Sequence, residues 1–129
     1  MKLSLSSEYA LLALIQMARK PNSGMTPSEI GGLAQIPATT LSELAVVLLR
    51  AKYLRRTNGK LRLAKPADKI SVAEIVRLFD GALAPLEPVS EKGYESVPME
   101  REPRLTDLFG MLQEQIVAEL EKTTLTDLV

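Results

Sequence analysis

Asn58-Gly59 constrains this chain more tightly than any other pair of its residues. The step separates two short runs, Tyr53 to Thr57 and Lys60 to Ala64. Asn-Gly between such runs is the strongest short-range hairpin signal, because a type I′ turn needs positive φ at both central residues. Alternation along the strands sets Arg56 apart from Arg55. It also puts Leu61 and Leu63 on one face and Lys60 and Arg62 on the other. Leu54 can join the leucines in a core, leaving a basic face outward. Any fold for this chain must carry a small, positively charged hairpin near its middle.

What precedes the hairpin narrows the choice. In "TPSEIGGLAQI", Thr26 is a helix N-cap, Pro27 occupies the first helical position and Glu29 follows the cap by three residues. This combination is a capping box with a favoured proline. Gly31-Gly32 inside it weakens the helix by roughly 1 kcal/mol per residue relative to Ala, which is the expected signature of close packing. After a break at Ile36-Pro37, Leu41, Leu44, Leu48 and Ala51 follow the spacing of an amphipathic helix, with Thr40 and Glu43 as a second capping box. Two short helices joined by a tight turn describe a helix-turn-helix, and a hairpin straight after the second helix is the wing of a winged helix. The start of that second helix meets base edges in the major groove, which nominates Thr39, Thr40, Ser42 and Glu43. Backbone contacts would come from the wing and its flanks: Lys2, Thr26, Arg50, Lys52, Arg55, Arg56, Lys60 and Arg62.

An exposed hairpin can also carry Lys and Arg merely to block edge pairing. The charge distribution weighs against that reading. Residues 1 to 70 hold eleven Lys and Arg against four acids, a net of +7, and the remainder of this formally neutral chain is correspondingly negative. A split of this kind points to a part that binds a polyanion and a part kept away from it. The chain has no cysteine and no histidine, which removes thiolate metal sites, cysteine-held iron-sulfur clusters, thiol nucleophiles and imidazole acid-base chemistry. With no nucleophile beside a base and no Gly-rich phosphate loop, an enzyme is not expected. Nor is a cofactor.

The ends of the chain complete the outline. Residues 7 to 19 are apolar almost all round, Gln16 being the main exception, so this helix should be buried on more than one side. Tyr9 to Ala18 is too short to span a bilayer. With Glu8 in the flank and no small-residue cleavage site after it, the stretch does not suit a signal peptide either. No membrane contact and a cytoplasmic location are expected. Ser71 with Glu74 starts a further helix through Ile75, Val76, Leu78 and Phe79. The segment Gly81 to Pro103 holds four of the eight prolines and lacks clear periodicity, so it is either an acidic linker or the place where a protein or small-molecule effector binds. Tyr94 is its candidate contact residue. Beyond it, Leu105, Leu108, Leu112, Ile116 and Leu120 trace one stripe along a long helix, which must fold back on its own core or pack on a second subunit.

Three stretches also carry a resemblance. "MKLSLSSEYALLALIQMA", "LRLAKPADKISVAEIVRLFDG" and "TTLTDLV" are similar, in order and spacing, to the Rrf2 family of bacterial winged-helix transcription regulators. The resemblance implies a homodimer on pseudo-palindromic double-stranded DNA, with the stripe from Leu105 to Leu120 as the dimerisation surface. It places the family's Tyr-Leu-Glu-Gln run on Thr40, Leu41, Ser42 and Glu43, where only the leucine is kept. The family's glycine-rich wing is shortened here to Thr57-Asn58-Gly59-Lys60. The three cysteines with which many relatives bind an iron-sulfur cluster are missing.

The expectation is a mainly α protein with one small β-hairpin. Residues 1 to 80 form a winged helix-turn-helix, 81 to 103 a linker, and 104 to 129 a dimerisation helix and tail. Its function would be sequence-specific transcription regulation, by repression, as a homodimer without an iron-sulfur cluster. The alternative is a winged helix that has lost DNA binding and serves as a protein-interaction module.

Overall fold

The computed structural model of the chain describes residues 3 to 81, Leu83 and residues 98 to 129. Five α-helices and one hairpin make up its frame: α1 Leu5–Arg19, α2 Pro27–Ala34, α3 Ala38–Arg50, β1 Leu54–Thr57, β2 Lys60–Leu63, α4 Val72–Asp80 and α5 Pro103–Lys122. It is the mainly helical winged helix-turn-helix expected from sequence, with a long C-terminal helix.

α1 sits at the centre. It packs against α2, α3, α4 and β2, burying Ala10, Ala13, Leu14, Met17 and Ala18 while Leu5 and Leu12 stay exposed. Burial on several sides explains why apolar residues surround most of this helix. α2 begins at the expected N-cap, with the Thr26 hydroxyl accepting the Glu29 N–H at 3.2 Å and Pro27 in the first turn, but Glu29 does not return the bond, so only half of the expected capping box forms. It ends at Gln35, which adopts a left-handed conformation (φ 55°) and donates its N–H to the Gly31 carbonyl. The chain turns by 115° into α3, within the range of about 90–120° for this motif. Of the two glycines, Gly31 serves close packing: a Cβ there would stand 3.2 Å from the Ile36 carbonyl oxygen. Gly32 faces open space.

α3 departs from the sequence expectation at its start. Pro37, in extended conformation, is the N-cap, and no side chain caps the helix. Thr40 and Glu43 therefore lie inside the first two turns instead of forming a capping box. The reason is steric: Pro37 has no N–H to lose and its fixed φ suits the entry to a helix, so the helix begins as soon as the proline permits. Leu41, Leu44, Ala45 and Leu48 are its buried face. At the other end Lys52 takes φ 67° and the Tyr53 N–H returns to the Leu48 carbonyl at 3.0 Å. This tight C-terminal turn delivers the chain directly into the wing.

The C-terminal segment belongs to the same core. After α5 the chain pairs with the start of α4: the Val72 N–H donates to the Thr123 carbonyl at 2.9 Å, and the Leu125 N–H to the Ile70 carbonyl at 3.0 Å. Leu125 is fully buried with Leu14, Ile70 and Ile75. The last turns of α5 also dock, Val117 and Leu120 packing against Val72, Ala73, Val76 and Leu83. A salt bridge of 2.8 Å joins Arg77 on α4 to Glu121 on α5. The first half of α5 has no such cover. Leu105, Leu108, Phe109, Met111 and Leu112 are between 37% and 50% exposed.

Candidate nucleic-acid interface

The candidate interface comprises the outward face of α3 and the wing that follows it. Because Leu41, Leu44, Ala45 and Leu48 turn inward, the helical repeat turns Thr39, Ser42, Glu43, Val46 and Arg50 outward, and all five are exposed. Thr40 is half-buried, at the edge of that face. The Ser42 hydroxyl donates to the Ala38 carbonyl at 3.0 Å, so its proton is committed to its own helix and its oxygen is left to accept from a base. Thr39 and Glu43 are the sequence-nominated groups that face solvent without such a tether.

In the wing, Asn58 and Gly59 have φ 52° and 75°, the left-handed pair that the Asn-Gly step requires. The register pairs Leu54 with Leu63, Arg55 with Arg62, Arg56 with Leu61 and Thr57 with Lys60. Leu54 and Leu61 are buried, so Arg55, Lys60 and Arg62 occupy the outer face. Arg56 shares the inner face, yet lies beyond the core and is exposed. Arg55 and Arg56 thus project from opposite sides of one strand.

The wing is more firmly held than its sequence suggests. Met25, from the loop between α1 and α2, pairs with Leu61 through reciprocal backbone hydrogen bonds of 3.0 and 2.8 Å. Close approach needs Gly24, where a Cβ would fall 2.9 Å from the Lys60 Cβ and 3.1 Å from the Arg62 guanidinium. Arg62 Nη1 donates to the Asn22 carbonyl at 3.2 Å, which fixes its direction. Beside this seam lies an open groove of about 600 Å³ lined by Lys20, Ser23, Ser28, Glu29, Leu33 and Lys60. Lys20 and Ser28 were missed in the sequence because only the Met25–Leu61 pairing brings them beside the wing.

At the wing's root, Lys65 Nζ stands 4.5 Å above the Tyr53 ring, and the Tyr53 hydroxyl donates to Glu74 Oε1 at 3.2 Å. Burial and the adjacent Glu74 charge raise the Tyr53 pKa, which keeps the phenol a proton donor. Glu74 completes the expected capping box with Ser71. Burial opposes its charge, but hydrogen bonds involving Ser71 and Tyr53 and the nearby Lys65 outweigh this and hold its pKa below the usual value. Lys65 over the Tyr53 ring and Tyr53 on Glu74 together link the root of the wing to α4.

Thr26 is occupied as the α2 N-cap, Lys52 lies in the left-handed turn after α3, and Lys2 falls outside the described residues. So do Tyr94 and most of the expected effector segment from 81 to 103. Of the expected dimerisation stripe, Leu105, Leu108 and Leu112 are exposed, Ile116 is half-buried, and Leu120 packs within the chain. Among the described residues no group of three acidic, His or Cys side chains could hold a metal ion, and no single helix is long and apolar enough to cross a membrane.

A recognition-type helix with a solvent-facing polar start, followed at once by a basic wing, defines a winged-helix transcription regulator with a DNA-binding fold. The family described as iron-dependent transcriptional regulators, Rrf2, matches residues 3–129, and the chain belongs to that family. It is 30% identical to a protein of Mycobacterium tuberculosis H37Rv named as an HTH-type transcriptional regulator, over 98% of this chain and 80% of that one. Its fold is similar to that of CymR, the global cysteine regulator of B. subtilis, with a TM-score of 0.83 and 25% identity over 99% of this chain and 95% of the other. It is also similar to that of T. potens IscR, with a TM-score of 0.71 and 19% identity over 99% and 85%. The residues present do not fit an iron-sulfur cluster, since the chain has neither cysteine nor histidine to ligate one.

Proposed function

We propose that the protein is a cytoplasmic, sequence-specific repressor that binds a pseudo-palindromic operator as a homodimer, independently of any iron-sulfur cluster. The observation that carries this reading is the outward face of α3, where Thr39, Ser42 and Glu43 meet solvent on the helix that leads through one short turn into the exposed basic wing. In such a motif the start of the second helix reads base edges while cationic flanks grip phosphate. Arg55, Lys60 and Arg62 supply the flank here, with Arg56 reaching from the opposite side of the strand. Base choice falls to Thr39, Thr40, Ser42 and Glu43. Residues 1 to 80 act as the DNA-binding unit, 81 to 103 as the connection where an effector binds, and 104 to 129 as the dimerisation element.

A second copy is the natural cover for the first half of α5. Leu105, Leu108 and Leu112, with Phe109 beside them, form an apolar stripe that nothing among the described residues of the chain buries. Two-fold pairing of that stripe is self-complementary and would give each operator half its own α3. The acids concentrated after residue 70 would sit away from phosphate. Occupancy of a promoter blocks transcription without further machinery, which is why repression is the proposed mode.

Fluorescence anisotropy with genomic fragments, the protein's own promoter among them, tests the reading. It expects saturable binding tighter than to random DNA, with log K falling by about 0.9 per log unit of salt for each phosphate neutralised. Binding indistinguishable from random DNA at every salt concentration would leave a protein-interaction module as the better account.

A further inference from the structure

Val46 is the one large apolar side chain of α3 that stands in solvent, 45% exposed among otherwise polar outward residues. A single exposed valine is ordinary on a protein surface. Its position is not. Thr39, Ser42, Glu43 and Val46 follow one another at i, i+3, i+4 and i+7, the spacing by which homeodomain recognition helices present four side chains to base edges. At 3.6 residues per turn Val46 lies within about 20° of Thr39 around the helix, diametrically opposite the buried Leu44–Leu48 face. A helix placed in the groove on Thr39 and Glu43 cannot leave Val46 out of it.

We propose that Val46 determines specificity by packing on the 5-methyl group of a thymine in each operator half-site. The thymine methyl is the apolar group that base pairs present in the major groove, and an isopropyl group has no hydrogen bond to offer any other feature there. Opposite a cytosine or a purine edge, Val46 would desolvate a donor or acceptor without replacing its bond, which disfavours those bases. The polar neighbours complete the division: Thr39 and Glu43 exchange hydrogen bonds, and Val46 reads shape. The assignment rests on the proposal that α3 enters the major groove.

The test begins with an operator selected from a random duplex pool by the full-length protein. Each thymine of one half-site is then replaced singly by deoxyuridine, which removes the methyl group and keeps the Watson–Crick pairing. Dissociation constants are measured for the wild type and for Val46→Ala. One position should weaken wild-type binding about fourfold, the value of one buried methylene-sized group. Val46→Ala should be insensitive at that position while keeping its response elsewhere. Because Val46 is exposed and Ala favours helix, the variant should melt like the wild type. If an operator is recovered but both proteins respond equally to every deoxyuridine, or the wild type responds to none, the assignment of Val46 is wrong and the regulator reading stands. If no sequence is enriched, both fall together.

Discussion

The wing and the first half of α5 both project from the core, and they are held there by opposite means. The wing carries charge and is fastened on three sides: by the Met25–Leu61 pairing, by Arg62 on the Asn22 carbonyl, and by Tyr53 on Glu74. In the first half of α5, Leu105, Leu108, Phe109, Met111 and Leu112 carry apolar side chains and remain exposed. A charged element needs no partner to be stable in water and gains from being rigid, because pre-aimed cations lose less entropy on meeting phosphate. An apolar helix face is the reverse: exposure costs it, and burial against a second copy recovers the cost. The difference is the one expected under the proposed function, with one projection for a polyanion and the other for a second copy.

Breaking the C-terminal segment at its two ends, the exposed start of α5 and the buried turn that follows it, should separate core from interface most sharply. Leu125→Ala removes a side chain fully buried in the main core and should lower stability by about 2–5 kcal/mol, read by urea denaturation at fixed protein concentration. Leu105→Ala, at the exposed end, should leave the melting of the isolated subunit nearly unchanged. An equal loss at both sites would erase the distinction between the exposed and the docked parts of this segment.

Next in size is the double variant Leu108→Glu with Leu112→Glu. It should convert dimer to monomer in sedimentation velocity and weaken operator binding by about 100-fold or more, the contribution of linked half-sites. A dimer that survives both changes would move the subunit interface elsewhere. Arg55→Ala with Arg56→Ala should act on the other projection. Binding should weaken alike on all sequences, and the salt slope should fall by about 0.9 for each arginine that meets a phosphate. Since the two residues leave opposite sides of β1, the single variants will tell which side faces DNA.

The smallest effect concerns the joint between α1 and α4, in the core from which both regions project. Asp80 ends α4 and accepts hydrogen bonds from the Ser4 N–H at 3.2 Å and the Ser7 hydroxyl at 2.8 Å. Burial opposes its charge, yet these bonds hold its pKa below the ordinary 3.8. A carboxyl with a lowered folded-state pKa stabilises fully above its unfolded value and loses that contribution as pH falls through the folded one. The stability gap between wild type and Asp80→Asn should therefore be constant near neutral pH and close progressively as pH drops below about 4. A gap unchanged in acid would mean that the carboxylate charge is irrelevant to the joint.

Local chemistry was legible in the sequence and distant pairing was not. Thr26-Pro27, Asn58-Gly59 and Ser71 with Glu74 each act within a few residues and each stands where its sequence put it, although at α2 only the Thr26 half of the expected capping box with Glu29 forms. The start of α3 was misplaced because Thr40 and Glu43 have capping chemistry, but Pro37 reaches the helix first. The Gly24–Met25 seam and the return of Leu125 to Ile70 join residues 36 and 55 positions apart along the chain, and no local pattern announces them. The same holds for the candidate site. Exposure of Thr39 and Glu43 followed from the leucine spacing, whereas the tethers on Arg62 and Lys65 depend on where the wing docks.

One measurement bears on the central claim most directly: titration of the full-length protein against its selected operator and a scrambled duplex, over a range of salt, with stoichiometry determined in the same samples. Two chains per operator are expected, with a preference over the scrambled duplex of about 10³-fold or more and a steep loss of affinity with salt. One chain per duplex, or equal affinity for both duplexes, would contradict it.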